Sequence, residues 1–404
     1  MLSLSSPVVY LPTIFITIVL VFVSILYRDA KKNTHEHTKD LPYYNEIGLS
    51  MGYIGRSILE NGRFQYQKNI DETISYDNKI YNSLRHAGTL YSMYMYEKYG
   101  LEKRYHDLRI LCSNYFMERY LKGAGKNSIA VISIPEEEQI KFPIAKTGAT
   151  GVALCALANL YEEKAVSIEF LRGMGNFLLS MTSEEGNVYA YYDVEKKEIN
   201  RTAEALFYPA EAACGLLYLY EVDPQNKWLD TAKKIIMNII SSRQKLEMGI
   251  PFDHWSVLAI EKLMKMKLLT PAETNLVQSY AEQMVIPMLS EQITNSNNIY
   301  YGAFKDNVRP CSIGTILEGF ASVYECSNNN QLKEILFKAI AIGSMFLAKV
   351  QVKTGVNAGG MPNSANWLRP GVTPNASIIR IDNVQHVVTG WLKFQRILKN
   401  TGNF

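Results

Sequence analysis

The feature that most constrains the fold is a helical hydrophobic period that recurs from Pro42 to the end of the chain. Apolar residues fall at positions i, i+3, i+4 and i+7 in segment after segment, which is the pattern of amphipathic α-helices. Strand patterns are scarce. Twelve helices are predicted, over residues 43–60, 79–99, 102–122, 146–163, 167–183, 209–222, 226–244, 253–266, 271–293, 312–326, 330–350 and 382–399.

The predicted helices pair into hairpins with short internal turns, such as KYGLEKRY and YEVDPQNKW. In each hairpin the first helix is apolar almost all round, whereas the second carries a charged face. Because a helix that is apolar all round is buried, we expect an inner ring of first helices and an outer ring of second helices. A recurring LYE or VYE near the end of three inner helices marks the internal repeat, at Tyr161, Tyr220 and Tyr324.

The last predicted helix and the first helix of the domain each lack a sequence neighbour on one side, so they can pair and close a ring. Six hairpins would then form an all-α (α/α)6 toroid, with short β-hairpin insertions such as GNVYAYYDVEKKEINRT. This repeat architecture resembles the six-hairpin toroid of carbohydrate-active proteins. That group includes many glycosidases, polysaccharide lyases, the N-acylglucosamine 2-epimerase group and the catalytic domain of glucuronyl C5-epimerase. The chain matches no single family's catalytic signature.

The first residues differ in kind from the rest of the chain. Val8 to Tyr27 contains no charged residue and is long enough to cross a bilayer. We therefore predict a tail at 1–7, a transmembrane anchor at 8–27, a polar linker at 28–41 and the toroid domain at 42–404. A signal peptide is the alternative, but a basic region before the span and a small-x-small cleavage site are both missing.

The side of the membrane is less constrained. Basic residues follow the span and none precedes it, which favours a cytoplasmic domain; they are Arg28, Lys31 and Lys32. Two glycosylation sequons, at Asn200 and Asn375, point the other way.

Composition excludes several classes of partner and cofactor. The net charge of +3 is spread thinly and no nucleic-acid-binding signature is present. The five cysteines are scattered without a CxxC spacing, so neither a disulfide framework nor a zinc site is expected. A P-loop, a dinucleotide fingerprint, a GxSxG elbow and an HExxH motif are all absent from the sequence. No cofactor or metal is predicted, although a Ca²⁺ among carboxylates would leave no readable spacing.

Polar motifs stand just before, or in the first turn of, each inner helix. They are YNSLRHAGT, AKTGATG, NRTAEALFYPAEA, PFDHWS, RPCSIGT and RIDNVQH. The inner helices of a toroid run parallel, so these six segments should meet at one mouth of the ring. Loops on a rigid scaffold that carry carboxylates, imidazoles, guanidiniums and aromatic rings are suited to a small polar ligand. We therefore expect a carbohydrate-binding site there.

Two reactions fit such a mouth. Glycoside hydrolysis needs two carboxyl groups, which Asp253 with Asp382 or Glu211 would supply, with aromatic platforms at Trp255, Tyr208 and Trp367. Epimerisation needs two bases and a cation for the developing enolate. The resemblance to the 2-epimerase group implies a histidine pair, and His254 and His386 fit that role. Hydrolysis is slightly favoured as the commonest activity of this architecture; lyase chemistry and a noncatalytic glycan-binding scaffold are the further alternatives.

The residues predicted to bind substrate are Arg85, His86, Tyr208, Trp255, Arg380, Gln385 and Glu204. The arginines near the mouth favour an acidic sugar; they also include Arg201 and Arg309. Several of these residues have a purely structural alternative. Asp253 and Asp382 stand at expected N-cap positions, and DNVQ resembles a capping box. A lone histidine such as His86 is more often buried and bonded to a main-chain carbonyl.

Overall fold

The computed structural model describes residues 40–77, 79–99, 102–305, 307–371 and 373–402. The predicted tail, the transmembrane span at 8–27 and all but the last two residues of the linker lie outside these ranges. Within the ranges, no helix combines the length and the apolar character needed to cross a bilayer.

The described residues form thirteen α-helices, and each of the twelve predicted helices is among them, with its ends shifted by a few residues. The inner helices are α2 Ser83–Lys98, α5 Thr147–Leu157, α7 Tyr208–Val222, α9 His254–Lys265, α11 Pro310–Cys326 and α13 Ile381–Thr401. The outer helices are α1 Tyr44–Arg56, α3 His106–Tyr120, α6 Ile168–Ser180, α8 Asn226–Arg243, α10 Pro271–Ser290 and α12 Asn330–Val350. The short helix α4, Pro135–Glu138, was not predicted.

The inner helices form a closed ring in the order α2, α5, α7, α9, α11 and α13, and α13 packs against α2. The first and last helices complete the closure, as predicted. The Tyr43 ring, just before α1, stacks on Trp391 of α13 at 5.8 Å, and the Gln395 amide donates to the main-chain carbonyl of Pro42 at 2.7 Å.

Contacts between inner helices join equivalent ends, which shows that these helices run parallel. Thr89 and Gln385, both near helix N-termini, are bonded to each other. Lys393 and Glu261, both in C-terminal halves, form an ion pair. The N-termini of the inner helices therefore share one mouth of the ring and their C-termini share the other.

The apolar inner helices pack closely because they carry small residues where they meet. Every residue of α5 is buried. A Cβ atom placed on Gly215 of α7 would lie 2.5 Å from the carbonyl oxygen of Gly151 in α5, so this contact requires glycine. The outer helix α8 instead buries one face, which carries Trp228 and Ile235, and leaves the other to solvent.

In the described ranges, seven short strands lie around the mouth where the inner helices begin. They are β1 Gln67–Asn69, β2 Leu121–Gly123, β3 Ile129–Val131, β4 Ile144–Lys146, β5 Tyr191–Asp193, β6 Glu198–Asn200 and β7 Ile378–Arg380. The predicted hairpin is present as β5 and β6, and β4 extends it to three strands. Strand β1 pairs antiparallel with β7, which links the segment before α2 to the segment before α13.

The described part of the Gly- and Asn-rich loop before β7 contacts both the segment before α2 and the start of α13. Asn357 donates to the main-chain carbonyl of Asn69 at 3.1 Å, and Asn383 of α13 donates to that of Met361 at 3.2 Å. Gly359 has φ +88°, and a Cβ atom there would collide with the carbonyl of Leu49. The loop thus braces the start of α13.

Candidate active site at the N-terminal mouth of the ring

Three ionisable side chains from three inner helices meet near the axis of the ring. His254 begins α9, Glu318 lies in the middle of α11 and His386 lies in the second turn of α13. Glu318 Oε2 lies 3.3 Å from Nδ1 of His386 and 3.7 Å from Nε2 of His254. The two imidazole rings stand nearly perpendicular, with centroids 5.4 Å apart. We call these residues the histidine–glutamate cluster.

A chain of hydrogen bonds fixes how His386 presents its ring. The Thr89 hydroxyl lies 2.8 Å from Oε1 of Gln385 and 2.9 Å from the main-chain carbonyl oxygen of Arg85. The Gln385 amide nitrogen faces Nε2 of His386 at 3.3 Å. An amide N–H can only donate, so Nε2 accepts and the ring proton sits on Nδ1, directed at Glu318. Gln385 also fits tightly, because a Cβ atom on Gly88 would overlap its amide group. Gln385, which was predicted to bind substrate, therefore contacts the histidine–glutamate cluster.

Burial determines the charge states in the cluster. Burial lowers the pKa of His254 well below its usual value, and the neighbouring His386 and Lys393 add to the effect. Its Nε2 atom is buried and has no hydrogen-bond partner among the described residues. Burial raises the pKa of Glu318, while His386 and Lys393 oppose that rise. His254 is therefore a neutral imidazole at pH 7, which is the form that acts as a base.

Trp255 packs against the histidine–glutamate cluster. Its ring centroid lies 5.4 Å from that of His254 and 5.9 Å from that of Tyr91. Trp255, Tyr91, Glu318 and His386 help to line a cavity of about 10 Å³, which is about the space that one water molecule needs. A sugar would therefore have to lie at the mouth, outside this cavity, or move side chains on entry.

Asp253, the neighbour of His254, is held by structural contacts. It is the N-cap of α9 and accepts from the main-chain N–H groups of Trp255 at 3.0 Å and Ser256 at 3.3 Å. Its second carboxylate oxygen lies 2.6 Å from Nη1 of Arg243, and the side chain is fully buried. The capping alternative accounts for one carboxylate oxygen, and the ion pair with Arg243 accounts for the other.

Asp382 is bound by two arginines. Arg380 donates to both of its carboxylate oxygens, at 3.0 and 2.9 Å, and Arg85 of α2 lies 3.0 Å from Oδ2. The expectation that Asp382 caps its helix was wrong. Arg380 is the N-cap residue and Asp382 lies in the first turn, because its side chain turns back to the guanidinium of Arg380.

Glu211 lies in the first turn of α7, and its side chain is directed at α5. A Cβ atom on Gly148 would meet Glu211 Oε2 at 2.0 Å and Tyr208 Cδ1 at 2.4 Å, so both side chains cover this glycine. Oε2 is buried, and no residue in the described part of the chain forms a hydrogen bond with it. Burial, with the nearby Asp253 carboxylate, raises the pKa of Glu211 to about 8. Glu211 is thus a buried acid that is largely protonated at pH 7.

Some predicted ligands lie elsewhere. His86 is fully buried between α2 and α3, where Nδ1 lies 2.7 Å from the Tyr81 hydroxyl and Nε2 lies 3.1 Å from the carbonyl of Cys112. The structural alternative therefore explains both ring nitrogens. Glu204 is exposed in the loop before α7, and Trp367 donates from its indole to the carbonyl of Val350 in α12. None of the three joins the cluster.

The cluster also has the composition of a metal site. The facing donor atoms of His254, Glu318 and His386 lie within 4.8 Å of one another, and two imidazoles with a carboxylate suit transition ions. A second group, Glu97, His106 and Glu163, encloses a guanidinium instead. Arg109 lies 2.9 Å from Glu97 and 3.0 Å from Glu163 and so occupies the centre of that group.

Glu318 was not among the residues predicted from the sequence to form the site. It stands six residues after the polar start of α11, inside the apolar run CSIGTILEGFASVYE. A carboxylate in a helix that is otherwise apolar all round must have a buried partner. The sequence therefore indicates that Glu318 has a buried partner, but only the geometry of the ring identifies that partner.

No protein-family model matches the chain, and no curated protein matches its sequence. Solved structures do match its fold. A D-mannose isomerase superposes with a TM-score of 0.65 and 12% identity over 88% of this chain and 97% of the other. The cellobiose 2-epimerase of Bacillus thermoamylovorans gives 0.63 and 12%, over 88% and 99%. An alpha-1,6-mannanase of Salegentibacter sp. gives 0.59 and 12%, over 88% and 99%.

The chain has the six-hairpin toroid fold of these carbohydrate-active enzymes. The predicted fold class of its helical part is therefore confirmed, and so is the resemblance on which that prediction drew. Both glycoside hydrolases and sugar epimerases or isomerases stand among the neighbours of this toroid.

Proposed function

We propose that this protein moves a proton between neighbouring carbons of a sugar, as an aldose–ketose isomerase, with His254 and His386 as the acid–base pair. The observation that carries the proposal is the histidine–glutamate cluster: two imidazoles in contact, both facing one buried carboxylate. Epimerisation at C2 is the closely related alternative, because it begins with the same proton abstraction.

The reaction needs only what the cluster offers. A neutral imidazole takes the proton from C2 of the open-chain aldose, where the C1 carbonyl makes that proton acidic. The C–H electron pair becomes the C1–C2 double bond of an enediolate, and the negative charge moves to O1. The imidazolium then returns that proton to C1, the other imidazole passes the C2 hydroxyl proton to O1, and the C2–O bond becomes the carbonyl of the ketose. General acid–base catalysis of this kind contributes about 10²–10⁴-fold.

The spacing of the rings favours isomerisation over epimerisation. With centroids 5.4 Å apart and rings nearly perpendicular, His254 and His386 pack against each other. A sugar carbon does not fit between them in this arrangement, so both would act from the same side of the substrate. Isomerisation returns the proton on that side, whereas epimerisation with two bases needs them on opposite faces of C2.

The contacts of the carboxylates support hydrolysis less well than we expected from the sequence. Asp253 is occupied by a helix cap and by Arg243, and Asp382 by Arg85 and Arg380. Glu211 is left as an acid without a free carboxylate opposite it. The mannanase neighbour loses activity when two adjacent aspartates are replaced, and this chain contains no two adjacent aspartates.

An acidic substrate remains part of the proposal. At the same mouth, one carboxylate, Asp382, binds both Arg85 and Arg380. Arg309, before α11, and Arg201, which donates to the Tyr189 hydroxyl, are exposed. This surplus of guanidinium groups suits a sugar with a carboxylate, because Arg binds carboxylates through two parallel hydrogen bonds.

A noncatalytic glycan-binding scaffold is the second candidate, and the small cavity favours it. A space of about 10 Å³ beside Glu318 admits no sugar carbon. In this case a glycan would bind at the mouth without any proton transfer.

Proton exchange separates the candidates. The full-length protein is incubated in D2O with mannose, glucose, fructose, cellobiose, glucuronate and alpha-1,6-mannotriose, and the sugars are followed by NMR. We expect deuterium at C1 or C2 of one sugar, together with its ketose. His254→Asn and His386→Asn should abolish exchange, whereas His106→Asn, on the outer helix α3, should not. Reducing ends released from mannotriose without exchange would indicate hydrolysis, and saturable binding without turnover would indicate a scaffold.

We further propose that residues 8–27 anchor the protein in a bilayer, with the toroid domain on the cytoplasmic side. The uncharged span and the basic residues after it support this proposal. Carbonate extraction of membranes tests the anchor, and protease protection tests the side. Release of the full-length protein by carbonate would contradict anchoring.

A further inference from the structure

A second pocket, of about 320 Å³, lies at the opposite mouth of the ring, where the inner helices end. Residues of α2, α7, α9 and α13, most of them in the C-terminal halves of these helices, line it. Two of them, Tyr91 and Leu258, also line the small cavity beside the histidine–glutamate cluster. The histidine–glutamate cluster is not part of its lining. We call this space the C-terminal pocket.

Cations outnumber carboxylates in the C-terminal pocket. Five cationic side chains line it: Lys98, Lys262, Lys265, Lys393 and Arg396. The carboxylates that pair with them are Glu221, Glu261 and Glu325. Glu261 alone binds Lys265, Lys393 and Arg396, at 2.6, 2.5 and 2.5 Å. The pocket therefore carries an excess of two positive charges.

Two of these ammonium groups lie over the same tyrosine ring. Lys262 Nζ lies 3.5 Å from the centroid of the Tyr218 ring, and Lys98 Nζ lies 5.9 Å from it. Lys262 also pairs with Glu221 at 2.6 Å. Among the described residues, no carboxylate forms an ion pair with Lys98, which contacts tyrosine rings only. Burial lowers the pKa of Lys262, and the nearby Lys98 charge adds to the effect although Glu221 opposes it.

The cations are not explained by capping of the helix ends. Lysines in the last turn of a helix often bond the free main-chain carbonyls there. In the described part of the chain, the hydrogen bonds of Lys265, Lys393 and Arg396 go to side chains. Lys98 and Lys262 lie over the tyrosine ring instead. All five cations line the C-terminal pocket.

We propose that the C-terminal pocket binds a small dianion, of which a phosphomonoester attached to a sugar-sized body is the class that fits. A phosphate would lie between Lys98 and Lys262 and relieve the repulsion between these two like charges. Tyr91, Tyr99 and Tyr218 supply flat apolar surface for the rest of the ligand. The volume accommodates a phosphorylated monosaccharide, and the proposal stands independently of the reaction proposed for the other mouth.

The test is calorimetric titration of the full-length protein at constant ionic strength. Glucose 6-phosphate and inorganic phosphate are the ligands, and glucose and succinate are the comparison compounds. We expect saturable binding of glucose 6-phosphate that Lys98→Gln weakens at least about tenfold. Lys98 is exposed, so this change should leave the fold intact. Lys227→Gln is the matched control, because Lys227 is also exposed and lies over an aromatic ring, that of Trp228, outside the pocket.

Titrations with a further variant and a further ligand show where the anion binds and whether it must be a phosphate. His386→Asn should leave the affinity unchanged, because His386 lies at the other mouth. The proposal is overturned if glucose 6-phosphate does not bind saturably, or if Lys98→Gln binds it as well as Lys227→Gln does. Equal binding of succinate would overturn the assignment to phosphate. Loss of binding in His386→Asn alone would move the anion to the other mouth.

Discussion

The Glu318 carboxylate accepts a hydrogen bond from Nδ1 of His386 across 3.3 Å. The two residues are 68 positions apart in the chain and lie on neighbouring inner helices, α11 and α13. The contact holds the ring proton on Nδ1, while the Nε2 lone pair faces the Gln385 amide nitrogen and must leave it before Nε2 takes a proton from a sugar. Because Glu318 acts through His386, its role in the proposed reaction is to position the imidazole.

Removing that carboxylate should therefore slow turnover more than it weakens binding. For Glu318→Gln we expect kcat to fall about 100-fold while KM changes by no more than about twofold. Glu334→Gln, an exposed position on α12, is the matched control and should behave as wild type. Steady-state kinetics on the sugar found by the exchange screen make the measurement. A rise in KM at unchanged kcat would assign Glu318 to substrate binding instead.

Asp253 should matter for stability. In Asp253→Ala the α9 cap is lost and Arg243 is left buried without its ion pair, so we expect a loss of about 3–5 kcal/mol in the free energy of unfolding. Urea denaturation measures it, with the exposed Asp230→Ala as the control. The double variant with Arg243→Met should lose less than the two single variants together, because the unpaired charge is gone. A near-wild-type Asp253→Ala protein would refute the structural role.

Glu211 should make stability depend on pH. Its folded-state pKa is raised to about 8 from an ordinary 4.5. A raised pKa means that the folded state holds the proton more tightly. The stabilisation is then complete below about pH 4.5 and disappears as the pH rises through 8. Relative to Glu211→Gln, whose amide stays neutral, the wild type should lose on the order of 5 kcal/mol across this window. Parallel curves for the two proteins from pH 5 to 9 would contradict the raised pKa.

The sequence predicted the helical part of the fold well because the helical period and the hairpin repeat are local signals. The twelve helices, the inner and outer rings and the closure by α1 and α13 all followed from them. Details set by side-chain contacts did not follow. The Asp382 carboxylate turns to Arg380 and Arg85 instead of capping α13, and His86 faces the outer helix α3, because each depends on a partner distant in sequence.

The candidate site was predicted in part for the same reason. The polar motifs at the starts of the inner helices led to His254, His386, Gln385 and Trp255, which do meet. The motifs did not reveal that Asp253 and Asp382 are already paired with arginines. These pairs are the reason why the structure supports proton transfer better than hydrolysis. Glu318 lies in the middle of α11, whereas site residues were predicted only before or within the first turn of each inner helix.

Metal should be unnecessary for the proposed reaction. If the imidazoles act as acid and base, exhaustive treatment with EDTA should leave kcat unchanged. Added Zn²⁺ should inhibit, because it would take up both imidazoles and the carboxylate of the histidine–glutamate cluster. Metal analysis of the purified protein accompanies the assay. Activity that EDTA abolishes and Zn²⁺ or Mn²⁺ restores would instead make the cluster a catalytic metal centre.

The most direct test of the central claim is the fate of a deuterium label placed at C2 of the aldose that the protein turns over. If His254 and His386 transfer the proton from one side of the sugar, part of the label should appear at C1 of the ketose and the rest should be lost to solvent. Both outcomes should disappear in the two histidine variants. A product that still carries the label at C2, which a ketose cannot, or wild-type rates in both variants, would contradict proton transfer by the histidine pair.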